Sequence, residues 1–412
     1  MSLLRANTGI LPRSKYTTLR GADLIERSTK LFADMLVARQ LCVLVSLEGT
    51  SIPIGEVAHL NNETPEFAFK SNRSFQFLFQ KNRLLYFALA YIDGQMAVNG
   101  SFEKAIEILD ALNVETDQPR TFIEYCQTVW FRLNKRLSYR SALRFESNGH
   151  YGNNARAYEL FLDSHMQYTC GRFEAENYNI EQAQLAKFAL INELAIKYGI
   201  PLAGKDHLDI GCGWGGMAAY FQETFKTRSL GNTNSLSQLQ YAESRYGSEV
   251  LFGDFLRLRK AGRRFDLITI VGMIEHLTPS RRSQLLCVAK DVLRDNGLIF
   301  IQCITKPKLW IGGDAYRFVQ QEVFPGHYLE SSQQTEHRFE ASGFEILERF
   351  DDGRDYGLTA ARWAQNIQQN KAALIDLVGA RQYRIYLAYL SFASRMFSTG
   401  RGDLMRYLLR KA

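Results

Sequence analysis

Residues 208–216 read Leu208-Asp209-Ile210-Gly211-Cys212-Gly213-Trp214-Gly215-Gly216. His207 to Ile210 reads as a buried strand that runs straight into glycines, with an acid, Asp209, near its end. Glycines at Gly211, Gly213 and Gly215 let the backbone approach a ligand without Cβ atoms in the way. The helix that follows such a turn presents unpaired amides, which favour negative charge. A dinucleotide fingerprint would space the glycines G-x-G-x-x-G, whereas this loop is G-x-G-x-G-G with the acid ahead of it. That order favours S-adenosylmethionine, whose methionyl carboxylate would meet the amides. A purely structural glycine turn is the bland alternative.

The surroundings of the loop repeat helix and strand. Glu181 to Tyr198 reads as a helix, with Ala183, Leu185, Ala186, Ala189, Leu190 and Leu194 as its apolar face. Strands are expected at 229–231, 249–252, 265–271 and 298–304, and the end of the chain, about 365–412, as basic helix. This is the pattern of an α/β Rossmann-like domain with a mostly parallel sheet and helices on both faces. After the second strand, Thr233, Asn234 and Gln238 offer hydroxyl and amide groups to ribose hydroxyls. After the third, Asp254 can accept from the adenine amine and Phe255 can stack on the ring.

Before this domain the signals are mixed. Apolar runs 41–47 and 86–92, an Asp93-Gly94 hairpin turn into Met96-Ala97-Val98, and a helix from Phe102 to Leu112 capped by Ser101 describe a small α+β domain. The expected division is 1–140 and 141–412.

Composition agrees with two folded domains: 412 residues, 46% hydrophobic, 23% charged and 8 prolines. Six cysteines without C-x-x-C spacing argue for reduced thiols, and His150, His165 and His327 lack the spacing of metal ligands, so no metal is expected. The formal charge of +7 implies attraction to a polyanion, either nucleic acid or an anionic lipid surface. No dense basic stripe or aromatic-flanked target-base motif favours nucleic acid. The absence of a long apolar run or a cleavable leader places the protein, as an expectation, in the cytoplasm.

Several segments together resemble the cyclopropane fatty acyl phospholipid synthases and their mycolic acid relatives. They are His150-Tyr151, the run from Phe161 to Gly171, Ala183-Gln184-Leu185-Ala186-Lys187, Val271-Gly272-Met273-Ile274-Glu275-His276, Val323-Phe324-Pro325-Gly326, and Asp355-Tyr356-Gly357-Leu358-Thr359 with Trp363. The resemblance implies methyl transfer from S-adenosylmethionine to one carbon of a double bond in a phospholipid acyl chain, then proton loss that closes a cyclopropane ring. It places Tyr168 and Thr169 at the cofactor. It also implies a bound bicarbonate as proton acceptor, held at Cys170, Glu275, Gln302, Ile304 and Tyr356. By the same resemblance the first domain serves docking at an anionic inner membrane surface or homodimer contacts.

This chain departs from the pattern at Gln302, where relatives carry histidine. Gln302 can hydrogen-bond an anion and cannot ionise. Either Glu275 still serves as general base and the ring closes, or the cation loses another proton to give a methyl-branched or methylene chain. The turn Tyr151-Gly152-Asn153-Asn154-Ala155 is a second departure. Two rivals remain: methylation of a small natural product, since plant alkaloid N-methyltransferases resemble the same family, and a non-catalytic lipid-binding relative. Cys170 itself can be an inert buried thiol, Glu275-His276 a structural pair and Tyr356 a packed aromatic.

Overall fold

The structure is a computed structural model that describes residues 30, 32–47, 50–71, 83–113, 155–307, 318–323 and 328–412. The expectations for His150 through Asn154 and for Phe324 through His327 lie outside the described residues. The rest form two compact units, each taken here by itself.

The first unit carries a four-stranded sheet of order β2-β1-β3-β4, with β1 Cys42–Leu47, β2 Thr50–Gly55, β3 Glu66–Phe69 and β4 Met96–Asn99. Helices α1, Arg83–Ile92, and α2, Phe102–Asn113, complete an α+β unit. Asp93-Gly94 is not a hairpin turn. The apolar run before it is helical, and Gly94, at φ 67°, ends that helix and leads into β4. Leu84, Leu85, Phe87, Ala88 and Tyr91 recur at helical spacing, and Phe87 meets Phe67 of β3 edge-on at 5.7 Å. Ser101 caps α2 as expected, its hydroxyl accepting from Lys104 N–H at 3.1 Å.

The second unit is built on a seven-stranded sheet of order β10-β11-β9-β8-β5-β6-β7. Its strands are β5 Asp206–Ile210, β6 Arg228–Thr233, β7 Val250–Phe252, β8 Phe265–Val271, β9 Leu293–Thr305, β10 Phe344–Asp351 and β11 Asp403–Lys411. The five strands β7, β6, β5, β8 and β9 pair in parallel, while β11 runs antiparallel between β9 and β10. The helices are α3 Ala155–Glu159, α4 Ile180–Lys197, α5 Gly216–Thr224, α6 Leu236–Tyr246, α7 Pro279–Val292, α8 Ser332–Ala341, α9 Gly353–Gln369 and α10 Lys371–Ser398.

The chain end corrects the expectation of an all-helical tail. Asp403–Lys411 is a strand, and Leu404, Met405, Tyr407, Leu408 and Leu409 are buried on both faces of the sheet. A strand covered on both faces is apolar at successive positions and shows no period-2 alternation, which is why its sequence does not announce it.

Local chemistry sets the helix starts. Asn179 and Gln182 form a reciprocal capping box at α4, and Ser331 and Gln334 form another at α8. One sheet face packs Leu208, Ile210, Ile268 and Ile270 against Leu285, Leu286 and Val288 of α7. The opposite face packs Leu267 and Val271 against Phe188, Ile191 and Leu194 of α4 and Phe221 of α5. Each such fully buried side chain contributes about 1.5–3 kcal/mol. His207, Asp209 and Thr269 alternate with these apolar residues, so their side chains share the α4 and α5 side.

Candidate active site

The glycine loop follows β5. Gly211 and Cys212 donate their N–H groups to Asn232 O at 2.9 and 3.0 Å, which ties the loop to the end of β6. Gly211 and Gly213 have φ of 78° and 55°, in the left-handed region. At Gly216, the first residue of α5, an added Cβ would lie 1.9 Å from His165 O. The segment before α4 therefore closes directly on the start of the helix.

A cavity of about 200 Å³ opens over the loop. Of the residues expected at the cofactor, Tyr168, Thr169, Asp209, Gly211, Gly213, Thr233, Asn234, Gln238, Asp254 and Phe255 line it. Gly215 does not. It is the N-cap of α5 at φ 83°, and its Cβ would strike Ala242 Cβ at 2.7 Å, so its role is in helix entry and packing. Met166, Asn232 and Met273, which the sequence placed within motifs without a role of their own, also line the cavity, and so does Arg281, which the sequence did not single out.

Asp209 sits on the cavity wall with Oδ1 accepting from Thr269 at 2.8 Å and Oδ2 buried without a partner. Burial lifts its pKa to about 7, while the Thr269 hydroxyl and the Lys187 charge pull the other way. Thr269 gives its proton to Asp209, so its oxygen accepts from His207 Nε2 at 3.0 Å, and His207 Nδ1 accepts from Ser229 at 3.1 Å. Burial holds His207 neutral, its pKa near 3. At the other end of the cavity, Asp254 accepts from Leu256 N–H at 2.9 Å and pairs with Arg281. The Arg281 guanidinium lies over the Phe255 ring at 4.3 Å. Arg281 thus orients both groups expected at adenine.

Cys170, Glu275, Gln302, Ile304 and Tyr356 come together in one buried cluster. Glu275 Oε1 accepts from Ile304 N–H at 3.2 Å, and Oε2 is buried without a partner. Burial raises its pKa to about 7, against the hydrogen bond from Ile304 and the charge of Arg282. Gln302 donates to Cys170 O at 3.2 Å and accepts from Arg406 Nε at 2.8 Å. Arg406, fully buried on β11, also donates to Gly171 O at 2.6 Å and pairs with Asp352 and Asp355. The Tyr356 and Tyr389 hydroxyls share a hydrogen bond, and the Glu275 charge acts on both tyrosines. Rings surround the cluster: Tyr168 and Trp363 lie 5.0 Å apart, Tyr356 and Phe397 4.5 Å. Burial pushes the Cys170 thiol up to about 12, so it is no nucleophile. Arg406 and Tyr389 were not legible as site residues.

His165 does meet two acids, Asp163 and Glu181, within 4.8 Å. Their bonds are local: Asp163 accepts from His165 and Gln167 N–H, and Glu181 from Ser164. These bonds explain the grouping as a loop cap.

Residues 140–407 match the family model described as mycolic acid cyclopropane synthetase. The chain belongs to this family. It is 26% identical over 279 residues to the cyclopropane mycolic acid synthase MmaA2 of Mycobacterium tuberculosis, covering 64% of this chain and 95% of that one. It is also 26% identical over 335 residues to a probable fatty acid methyltransferase of Pseudomonas putida, covering 78% and 81%. The solved structure of MmaA2 superposes with a TM-score of 0.59 at 25% identity, over 64% of this chain and 97% of that one. Coclaurine N-methyltransferase, bound to N-methylheliamine and S-adenosylhomocysteine, shares the fold with a TM-score of 0.60 at 17% identity, over 81% and 100%. The family is one of S-adenosylmethionine-dependent methyltransferases. No helix among the described residues is long and apolar enough to cross a membrane.

Proposed function

We propose that this protein transfers the methyl group of S-adenosylmethionine to a carbon-carbon double bond of an unsaturated fatty acyl chain in a membrane phospholipid. The observation that carries the reading is Glu275, a buried carboxylate with one unpartnered oxygen, set among aromatic rings beside the cofactor cavity. The alkene π pair attacks the methyl carbon, the carbon–sulfur bond breaks, and its electron pair stays on sulfur as S-adenosylhomocysteine. A cation is left on the neighbouring carbon. The faces of Tyr168, Trp363 and Tyr356 stabilise it and keep water away. Glu275 Oε2 takes a proton from the new methyl, and the freed C–H pair closes the cyclopropane ring. Loss of a proton from the acyl chain instead gives a methyl-branched alkene, and a 1,2-hydride shift to the first cation followed by loss of a methyl proton gives a methylene chain. The relatives named for cyclopropane mycolic acid synthesis and fatty acid methylation support this choice of acceptor.

Bicarbonate fits these donors poorly. Ile304 N–H is spent on Glu275, the Gln302 amide bridges Cys170 O and Arg406, and the Tyr356 hydroxyl is paired with that of Tyr389. We therefore assign proton removal to Glu275 itself. Residues 1–140 are read as the part that docks on an anionic inner membrane surface or joins a homodimer, with the net charge of +7 on the whole chain supplying the attraction.

The test is incubation with labelled S-adenosylmethionine and vesicles of monounsaturated phospholipid, followed by mass spectrometry of the fatty esters. A product one CH2 heavier that resists hydrogenation establishes cyclopropanation. The same mass with uptake of hydrogen means a methylene or branched alkene. Labelled cofactor that binds and never reaches lipid overturns the reading and points to a different acceptor, such as a small amine.

A further inference from the structure

We propose that Lys187 and Gln184, one turn apart on α4, are positioning residues for the cofactor, acting through Thr169 and Asp209. Neither residue lines the cavity, and both are fully buried behind its wall. Gln184 Nε2 donates to Thr169 O at 2.7 Å and reaches Gln167 O at 3.5 Å. Lys187 Nζ donates to Thr169 Oγ1 at 2.8 Å and reaches Gln167 Oε1 at 3.4 Å. The two side chains therefore hold both the backbone and the side chains of 167–169, a stretch that lines the cavity. From the other side Thr169 is pressed on Gly272, where an added Cβ would lie 2.6 Å from Thr169 Cγ2. The wall is clamped between α4 and the end of β8.

The second arm is electrostatic. A buried ammonium is costly unless charge and hydrogen bonds compensate it. The groups facing Lys187 are Asp163 and Cys170 from the segment before α4, Asp209 from β5 and Arg406 from β11. Burial pushes the amine down and the Asp163 carboxyl up, and each opposes the shift of the other. Lys187 also favours the ionised form of Asp209. Asp209 Oδ2, unpartnered on the cavity wall, suits the methionyl ammonium of the cofactor, and it accepts that group best as a carboxylate. Lys187 thus secures the wall by one bond and the charge of the wall by its own.

This inference rests on the S-adenosylmethionine reading and is independent of the acceptor, so its test omits lipid. S-adenosylhomocysteine affinity is measured by calorimetry across pH for the wild type, Lys187→Met and Thr169→Val. Burial brings the Lys187 amine down to about 7 as well, so wild-type affinity falls as pH drops through about 7, where Asp209 takes up a proton beside the newly charged Lys187. Lys187→Met raises Kd about tenfold, the scale of one hydrogen bond to a charged group, and moves the pH midpoint upward. Thr169→Val keeps the methyl against Gly272 and removes only the hydroxyl that Lys187 holds. It raises Kd with the midpoint unmoved. Wild-type Kd and midpoint in a folded Lys187→Met protein overturn the proposal. If that variant does not fold, an unchanged Kd in Thr169→Val overturns it instead.

Discussion

Arg406 on β11 donates through Nε to Gln302 Oε1 on β9 at 2.8 Å, across 104 residues of chain, and both side chains are buried. That bond settles which end of the Gln302 amide is oxygen and turns its NH2 toward Cys170 O. A histidine at this position could exchange protons. The glutamine, so held, is a fixed dipole.

Replacing Arg406 by Met leaves Asp352 and Asp355 without their cation and Gln302 without its donor. Loss of one partner from a buried ion pair costs about 3–5 kcal/mol. The urea midpoint of Arg406→Met is expected to fall accordingly. A midpoint within experimental scatter of wild type would mean the network is dispensable.

Glu275→Gln removes the base and should cut lipid methylation at least about a hundredfold. The two states also differ in proton uptake. The carboxyl ionises near 4.5 in the unfolded chain and near 7 when folded. Between those values the folded protein holds a proton that the unfolded chain has released, so stability falls as pH rises through this window, by up to about 3 kcal/mol. The variant is therefore expected to be more stable than wild type at pH 8 and equal to it near pH 4. Wild-type turnover, which needs the carboxylate, should rise with pH to a plateau above about 7. An identical stability profile for both proteins would refute the buried ionisation.

Bicarbonate added to carbonate-stripped assays should change the wild-type rate less than about twofold, because the Ile304 N–H and the Gln302 amide are committed within the protein. Recovery of activity by more than about tenfold on addition would show that the anion displaces those bonds and is the base.

Arg281→Ala frees the Asp254 carboxylate and uncovers the Phe255 ring. The expected cost is about 1–2 kcal/mol in S-adenosylhomocysteine binding, or about tenfold in Kd by calorimetry. A Kd within twofold of wild type removes Arg281 from the adenine end.

Gly216→Ala places a methyl 1.9 Å from a backbone carbonyl oxygen, a contact no rotamer can relieve. Its S-adenosylhomocysteine binding should be lost, with far-UV circular dichroism separating a local shift from unfolding. Retained affinity would mean that the segment at His165 moves freely away from α5.

Much of the cavity lining was legible because it is local. Asp209, Gly211 and Gly213 are neighbours in sequence and stay neighbours around one turn, and Thr233, Gln238, Asp254 and Phe255 each follow a strand whose apolar run is visible. Family membership was legible in the scattered motifs that the family model later matched. The first unit was read less well: the run 86–92 taken alone is short enough to pass for a strand, and the helical recurrence shows only once Leu84 and Leu85 are joined to it. The last strand was missed because burial on both faces erases the alternation that marks a strand.

The sequence by itself determined the doubly covered sheet, the glycine turn and its ligand class, since backbone conformation and hydrophobic period are properties of contiguous residues. Only the tertiary structure decided the partners inside the site. It brought Arg406 to Gln302, Tyr389 to Tyr356, and Lys187 to the back of Thr169, and it left one oxygen each of Glu275 and Asp209 without a partner. The physical reason is that hydrogen bonds and charges act over a few ångströms of space, and strands and helices distant in the chain supply those neighbours.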